Sequence, residues 1–199
     1  MKKTILIAVV TLVIGVGSVI GLNYFSSNEP RTIYLSNVLI ELTPDQIVKE
    51  SQGVVLGLVE NVEVIKAASQ LRLGEEDILT KATVKVEKFL KTPGNLPNST
   101  SIIEVEVIGG TIGNETMVGE DFPTLEKGER VIVFLGPKDT NTDAFTVYAG
   151  VQGKFSIQPN DEVGNEKERI YFRKIFGKDM SLNELASVIS SIVNNDRAK

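Results

Sequence analysis

Val54-Val55-Leu56-Gly57-Leu58-Val59-Glu60-Asn61-Val62-Glu63-Val64-Ile65 is the stretch that decides the fold. It opens as an unbroken apolar run, which suits a strand covered on both faces. It closes with Val62 and Val64 alternating against Glu63, which suits a strand with one face in water. Gly57 falls where the apolar run is still unbroken, and a glycine inside a strand marks a bend or bulge. A long strand bent there serves two faces of a barrel.

The flanking sequence continues this pattern. Thr43-Pro44-Asp45-Gln46 is a helix start: Thr43 caps, proline suits the first helical position and Gln46 completes a capping box, so a short helix to about Ser51 is predicted. Downstream, Ala82, Val84 and Val86 alternate with polar residues, and beyond the turn-rich Lys91 to Thr100 so do Ile103, Val105 and Val107. These are two half-buried strands of a hairpin, with Lys85 expected near Glu104 or Glu106 and both glutamates on a solvated strand face rather than acting as paired catalytic carboxylates.

Gly109-Gly110-Thr111-Ile112-Gly113 is expected to break the sheet, with irregular chain to Gly128 before Arg130 to Leu135 resumes as a fully apolar central strand. Phe145, Val147, Phe155 and Ile157 supply inward positions of two more strands joined through Ala149 to Gly153. Ile170 to Phe176 fits a strand or a helix. Ser181, with Glu184 completing a capping box, opens an amphipathic helix over Leu182 to Val193. The predicted architecture is mainly β: a small antiparallel OB-like barrel with a short N-terminal helix and a C-terminal amphipathic helix, preceded by one transmembrane helix.

That transmembrane segment is Thr4 to Leu22, 19 residues without a charge behind Lys2 and Lys3. At helical rise it covers about 28 Å, the thickness of a hydrocarbon core. The rival reading is a signal peptide cut near Ser18. The apolar run continues past that point and no A-x-A pattern occurs, so an anchor is the expectation. Both readings send the C-terminal part out of the cytoplasm, because the lysines precede the span. Gly17 and Gly21 form a small-xxx-small pair on the span. The organisation is then residues 1–22 as anchor or signal peptide, 23–35 as tether, and 36–199 as one extracytoplasmic domain. Two sequons, at Asn98 and Asn114, fall in expected loops and suit a glycosylated exterior.

Composition excludes several chemistries. The chain contains neither Cys nor His, which removes disulfides, thiolate nucleophiles, Ser-His-Asp hydrolysis and His-bearing transition-metal sites. A net charge of -5 without a basic cluster argues against nucleic acid. Asp139-Thr140-Asn141-Thr142-Asp143 has the spacing that begins a calcium loop. Ala144 stands where the loop needs glycine and Gly150 where it needs a bidentate glutamate, so Asp139, Asn141 and Asp143 are a candidate metal set set against a plain polar turn. No phosphate-loop spacing or G-x-S-x-G elbow occurs. No catalytic residue or cofactor is assigned.

Gly109-Gly110-Thr111, Phe122-Pro123, Lys127 to Leu135, Tyr148-Ala149-Gly150 and Val151 to Phe155, together with Val54 to Val59 and Ala82 to Lys91, resemble an exported archaeal and bacterial OB-like β-barrel domain family of no established activity. The resemblance spans Pro44 to Ile157. It implies an exported barrel and carries no site residues. The expected function is a membrane-anchored extracytoplasmic binding or assembly module, not an enzyme, held by the lipid bilayer and presenting Gly109 to Lys127 and Thr140 to Asp143 to a protein or surface-layer partner. The alternatives are an accessory subunit of a membrane complex and a His-free hydrolase using Ser/Lys or carboxylates.

Overall fold

The computed structural model describes residues 29–197 except 37, 38, 70, 71, 73 and 95. The anchor reading of residues 1–22, with its Gly17/Gly21 pair, therefore lies outside the described residues. Among the described residues no helix is long and apolar enough to cross a membrane.

Two strands organise the chain, β2 (Gly53–Ala68) and β7 (Arg130–Lys138), buried on both faces over the first half of β2 and over residues 131–136 of β7. They pair antiparallel from Gly53↔Leu135 to Leu58↔Arg130. Along the other edge of β2 runs β3 (Glu76–Lys91), and β4 (Ile102–Ile108) follows β3, both antiparallel. The sheet continues through β8 (Phe145–Val147), β7 and β9 (Lys154–Ser156), in the order β2-β3-β4-β8-β7-β9 with the further β2–β7 pairing. β4 and β8 run parallel over just two residue pairs, Val105↔Phe145 and Glu106↔Thr146. The protein is thus mainly β, with two helices at its C-terminal end.

The expected bend at Gly57 is present, as a register shift against β3 between Leu56 and Gly57. A Cβ at Gly57 would lie 2.6 Å from the Lys85 carbonyl oxygen, so only glycine fits. Alternation along β2 and β7 divides the interior. Val55, Val59, Val131, Val133 and Leu135 join Ala82, Val84, Ile103 and Val105 in one core inside the curled sheet. Val54, Leu56, Ile132 and Phe134 face outward into a second core beneath the helices. Coverage on both sides explains why these strands read as continuous apolar runs.

Helix α1 (Pro44–Glu50) has the predicted Thr43 capping box. At its other end the Lys91 ammonium donates to the carbonyls of Val48, Lys49 and Ser51 at 2.6–2.8 Å, meeting oxygens that a helix terminus leaves unpaired. Residues 170–176 are helical, within α2 (Glu166–Phe176). Asn165 and Glu168 form a capping box, Gly177 closes the helix in a left-handed conformation, and Phe172, Ile175 and Phe176 are buried at helical spacing. Phe172 meets Phe155 edge-on at 5.1 Å and stacks on Phe176 at 4.6 Å. α3 (Leu182–Arg197) extends past the expected end at Val193, and Leu185 and Ile189 are fully buried in the same core.

Two segments differ from expectation. The glycine-rich stretch after β4 forms β5 (Gly110–Ile112) and β6 (Glu115–Gly119), a hairpin in place of irregular chain. Residues 31–35, read as tether, form β1 (Arg31–Leu35), which adds parallel to β6 from Arg31↔Glu115 to Leu35↔Gly119. The reason is local: β6 has a free edge of peptide groups, and Thr32, Ile33 and Tyr34 suit an extended backbone.

Candidate functional site

The β3–β4 register sets the site. Lys81 lies opposite Glu106 and Thr83 opposite Glu104, so Lys85 faces Ile102. The expected pairing of Lys85 with either glutamate is corrected accordingly; its ammonium is 3.5 Å from Glu60. Glu104 accepts a hydrogen bond from the Thr83 hydroxyl at 3.1 Å and stays half-buried. Glu106, read from alternation as solvated, is 4% exposed. The outer face of β4 is covered there by the turn between β7 and β8, held on β4 by the short parallel seam.

That turn supplies the neighbours of Glu106. The Thr142 hydroxyl donates to its Oε2. Asp139, also 4% exposed, lies within hydrogen-bonding reach of the Glu106 carboxyl. Burial, above all, pushes the Glu106 carboxyl up to about 7. The charge and hydrogen bond of Asp139 add to this, while the Thr142 hydroxyl and the Lys81 charge oppose it. A third buried acid, Asp77 at the start of β3, is matched differently: the Arg72 guanidinium meets it at 2.6 Å and also donates to the Glu76 carbonyl at 2.9 Å. No ion pair joins Glu106 or Asp139 to a basic side chain among the described residues.

These three acids open on a cavity of about 200 Å³. Its walls are otherwise mostly apolar: Leu79 from β3, Val107 and Ile108 from β4, Val147 from β8, and Phe122 with Pro123 from the segment after β6. Phe122 folds back over Gly119, where a side-chain carbon would collide with its ring. A mostly apolar recess with a few convergent polar groups is the usual form of a small-molecule site.

The candidate calcium residues are near one another in sequence and engaged separately. Asp139 Oδ1 accepts the Asn141 backbone N–H at 2.6 Å, the Asn141 side-chain amide donates to the Ala68 carbonyl, and Asp143 pairs with Lys138 at 2.9 Å. Among the described residues no group of three or more acidic side chains is arranged to hold a metal ion. Asn98 and Asn114 are both exposed, Asn98 in the β3–β4 loop and Asn114 in the β5–β6 turn, where its amide donates to the Glu29 carbonyl at 3.0 Å.

A buried Ser/Lys pair does exist, Lys154 and Ser156 on β9, but both are committed elsewhere. Lys154, 3% exposed, is ion-paired with Glu129 and with Glu168, the latter at 2.9 Å. The Ser156 hydroxyl donates to Glu168 at 2.6 Å. Burial works to raise the Glu168 carboxyl, yet Lys154, the Ser156 hydroxyl and the Asn165 and Ser156 amides together hold it below the usual range. The network ties β9 to α2.

No protein-family model matches the chain, and no curated protein matches it.

Proposed function

We propose that the chain is a membrane-anchored extracytoplasmic binding module on an OB-like barrel, and that the cavity beside Glu106 is its binding site. The barrel reading is supported by the antiparallel order β2-β3-β4, the parallel β4–β8 step and the return pairing of β7 with β2. The anchor reading rests on Thr4 to Leu22 and its flanking lysines.

One observation carries the binding reading. The cavity is assembled from both regions that the sequence marks as presenting loops, through Phe122 and Pro123 from one and Asp139 beside the other. Its volume suits a small organic molecule, since a dry cavity of about 150 Å³ accommodates benzene. Binding is favoured over catalysis because Lys154 and Ser156 are bonded to carboxylates rather than to each other.

Ligand-observed NMR on the full chain in mild detergent, with benzyl alcohol as probe, tests the site. Saturation transfer should appear for the natural sequence and vanish when Leu79→Trp fills the cavity; transfer unchanged by Leu79→Trp rejects it. Intact-mass measurement of the native protein tests the anchor, and a chain beginning near Ser18 would show release in place of retention.

A further inference from the structure

We infer that the cavity selects a small primary amine, whose ammonium group sits between Glu106 and Asp139 and whose apolar body lies against Leu79, Phe122 and Val147. This deepens, and rests on, the reading of the cavity as a binding site.

Charge is unevenly matched around this half-open recess. Asp77 has its own guanidinium partner in Arg72. Glu106 and Asp139 are equally buried and have no such partner among the described residues, although they lie side by side. Two carboxylates in a low-dielectric recess need a positive charge between them, and a proton is the smallest one. The proton held by Glu106 therefore occupies the place of a cation. The cavity adjoining that place is large enough for an organic cation of about eight heavy atoms.

Hydrogen-bond supply fits the same head group. Thr142 occupies Oε2 of Glu106, and the Asn141 N–H occupies Oδ1 of Asp139. The two carboxyls meet each other through the Glu106 proton, and an ammonium, with three donors and no acceptor, can take that proton's place and donate to both. A bare calcium ion would require six to eight oxygens, more than this pair provides. The mostly apolar walls disfavour a strongly hydrated ion and reward a hydrocarbon body.

Other charged groups facing Glu106 are accounted for. Lys81 lies opposite Glu106 on β3 and Asp139 adjoins it from the β7–β8 turn, while Asp77, which lines the same cavity, is paired with Arg72. Because the ammonium replaces a proton, apparent affinity should fall about tenfold from pH 8 to pH 6, given a carboxyl that titrates at about 7.

The test is calorimetric titration of the full chain in mild detergent with benzylamine, benzyl alcohol and benzoate, together with calcium chloride alone. The expected result is benzylamine bound at least tenfold more tightly than benzyl alcohol at pH 8, no benzoate binding, and loss of the amine preference in Glu106→Gln and in Asp139→Asn. A second variant guards against misfolding: Leu79→Trp should abolish binding of both neutral and amine probes while its thermal transition stays cooperative. Equal affinity for alcohol and amine would overturn the amine assignment and leave the cavity as an apolar site. No binding of any organic probe would overturn both readings. Calcium binding that excludes benzylamine would overturn the amine in favour of a metal.

Discussion

Replacing Glu106 by glutamine should make the protein more stable at pH 8 and change it by less than about 1 kcal/mol at pH 5. An ordinary glutamate titrates near 4.5, and burial beside Asp139 moves this one to about 7 in the folded chain. The folded state therefore binds the proton more tightly than the unfolded state. Between pH 4.5 and 7 the native form keeps it while the unfolded form releases it, so stability falls as pH rises through that window and levels off above it. At about 1.36 kcal/mol per tenfold, the penalty at pH 8 is roughly 3 kcal/mol. Glutamine carries no such charge, can donate to Asp139 and can still accept from Thr142. For a domain of this size the gain corresponds to a rise of about 6–12 °C in Tm. The window is unusually clean, because the chain has no His or Cys side chain to titrate within it. Denaturation of both proteins from pH 5 to pH 8.5 is the assay. Parallel profiles, or a Glu106→Gln variant less stable at pH 8, would refute the reasoning.

Gly57→Ala should cost about 2 kcal/mol, because its new carbon would meet a backbone oxygen that the β2–β3 pairing holds in place; urea denaturation measures it. Glu168→Gln should cost about 3 kcal/mol near neutrality by leaving buried Lys154 short of one carboxylate. Because the Glu168 carboxyl is held below its usual range, its contribution is present above pH 4.5 and is lost as the pH falls through the lowered value. The variant should therefore show a flatter acid limb in a pH series of melts. Millimolar calcium should leave Tm unchanged, since Asp139 and Asp143 are engaged by different partners; a clear rise would restore the calcium loop.

The local rules of the chain were legible wherever neighbouring residues decide the outcome. Thr43 with Gln46 and Ser181 with Glu184 announced helix starts, Gly57 announced a bulge, and the apolar runs of β2 and β7 announced strands covered twice. The Asn165–Glu168 box and Gly177 were equally available as signals for α2, and they decide between strand and helix over residues 170–176. The site was not legible. Period-two alternation assigns Glu106 to the outer face of β4 and is correct, but whether an outer face meets water depends on what the chain lays over it later. Here that is a turn more than thirty residues downstream, fixed by two parallel residue pairs. Likewise β1 forms only because β6 offers an edge, a long-range fact with no local marker.

If Thr4 to Leu22 is held in a bilayer, the early start of β1 limits reach. Ordered sheet begins at Arg31, and only eight residues, 23–30, then separate it from the span. Eight fully extended residues span at most about 28 Å. The domain would then sample a thin layer over the membrane rather than the surrounding volume. Partners confined to the same surface would experience a raised effective concentration, and those standing farther off would be excluded by distance alone.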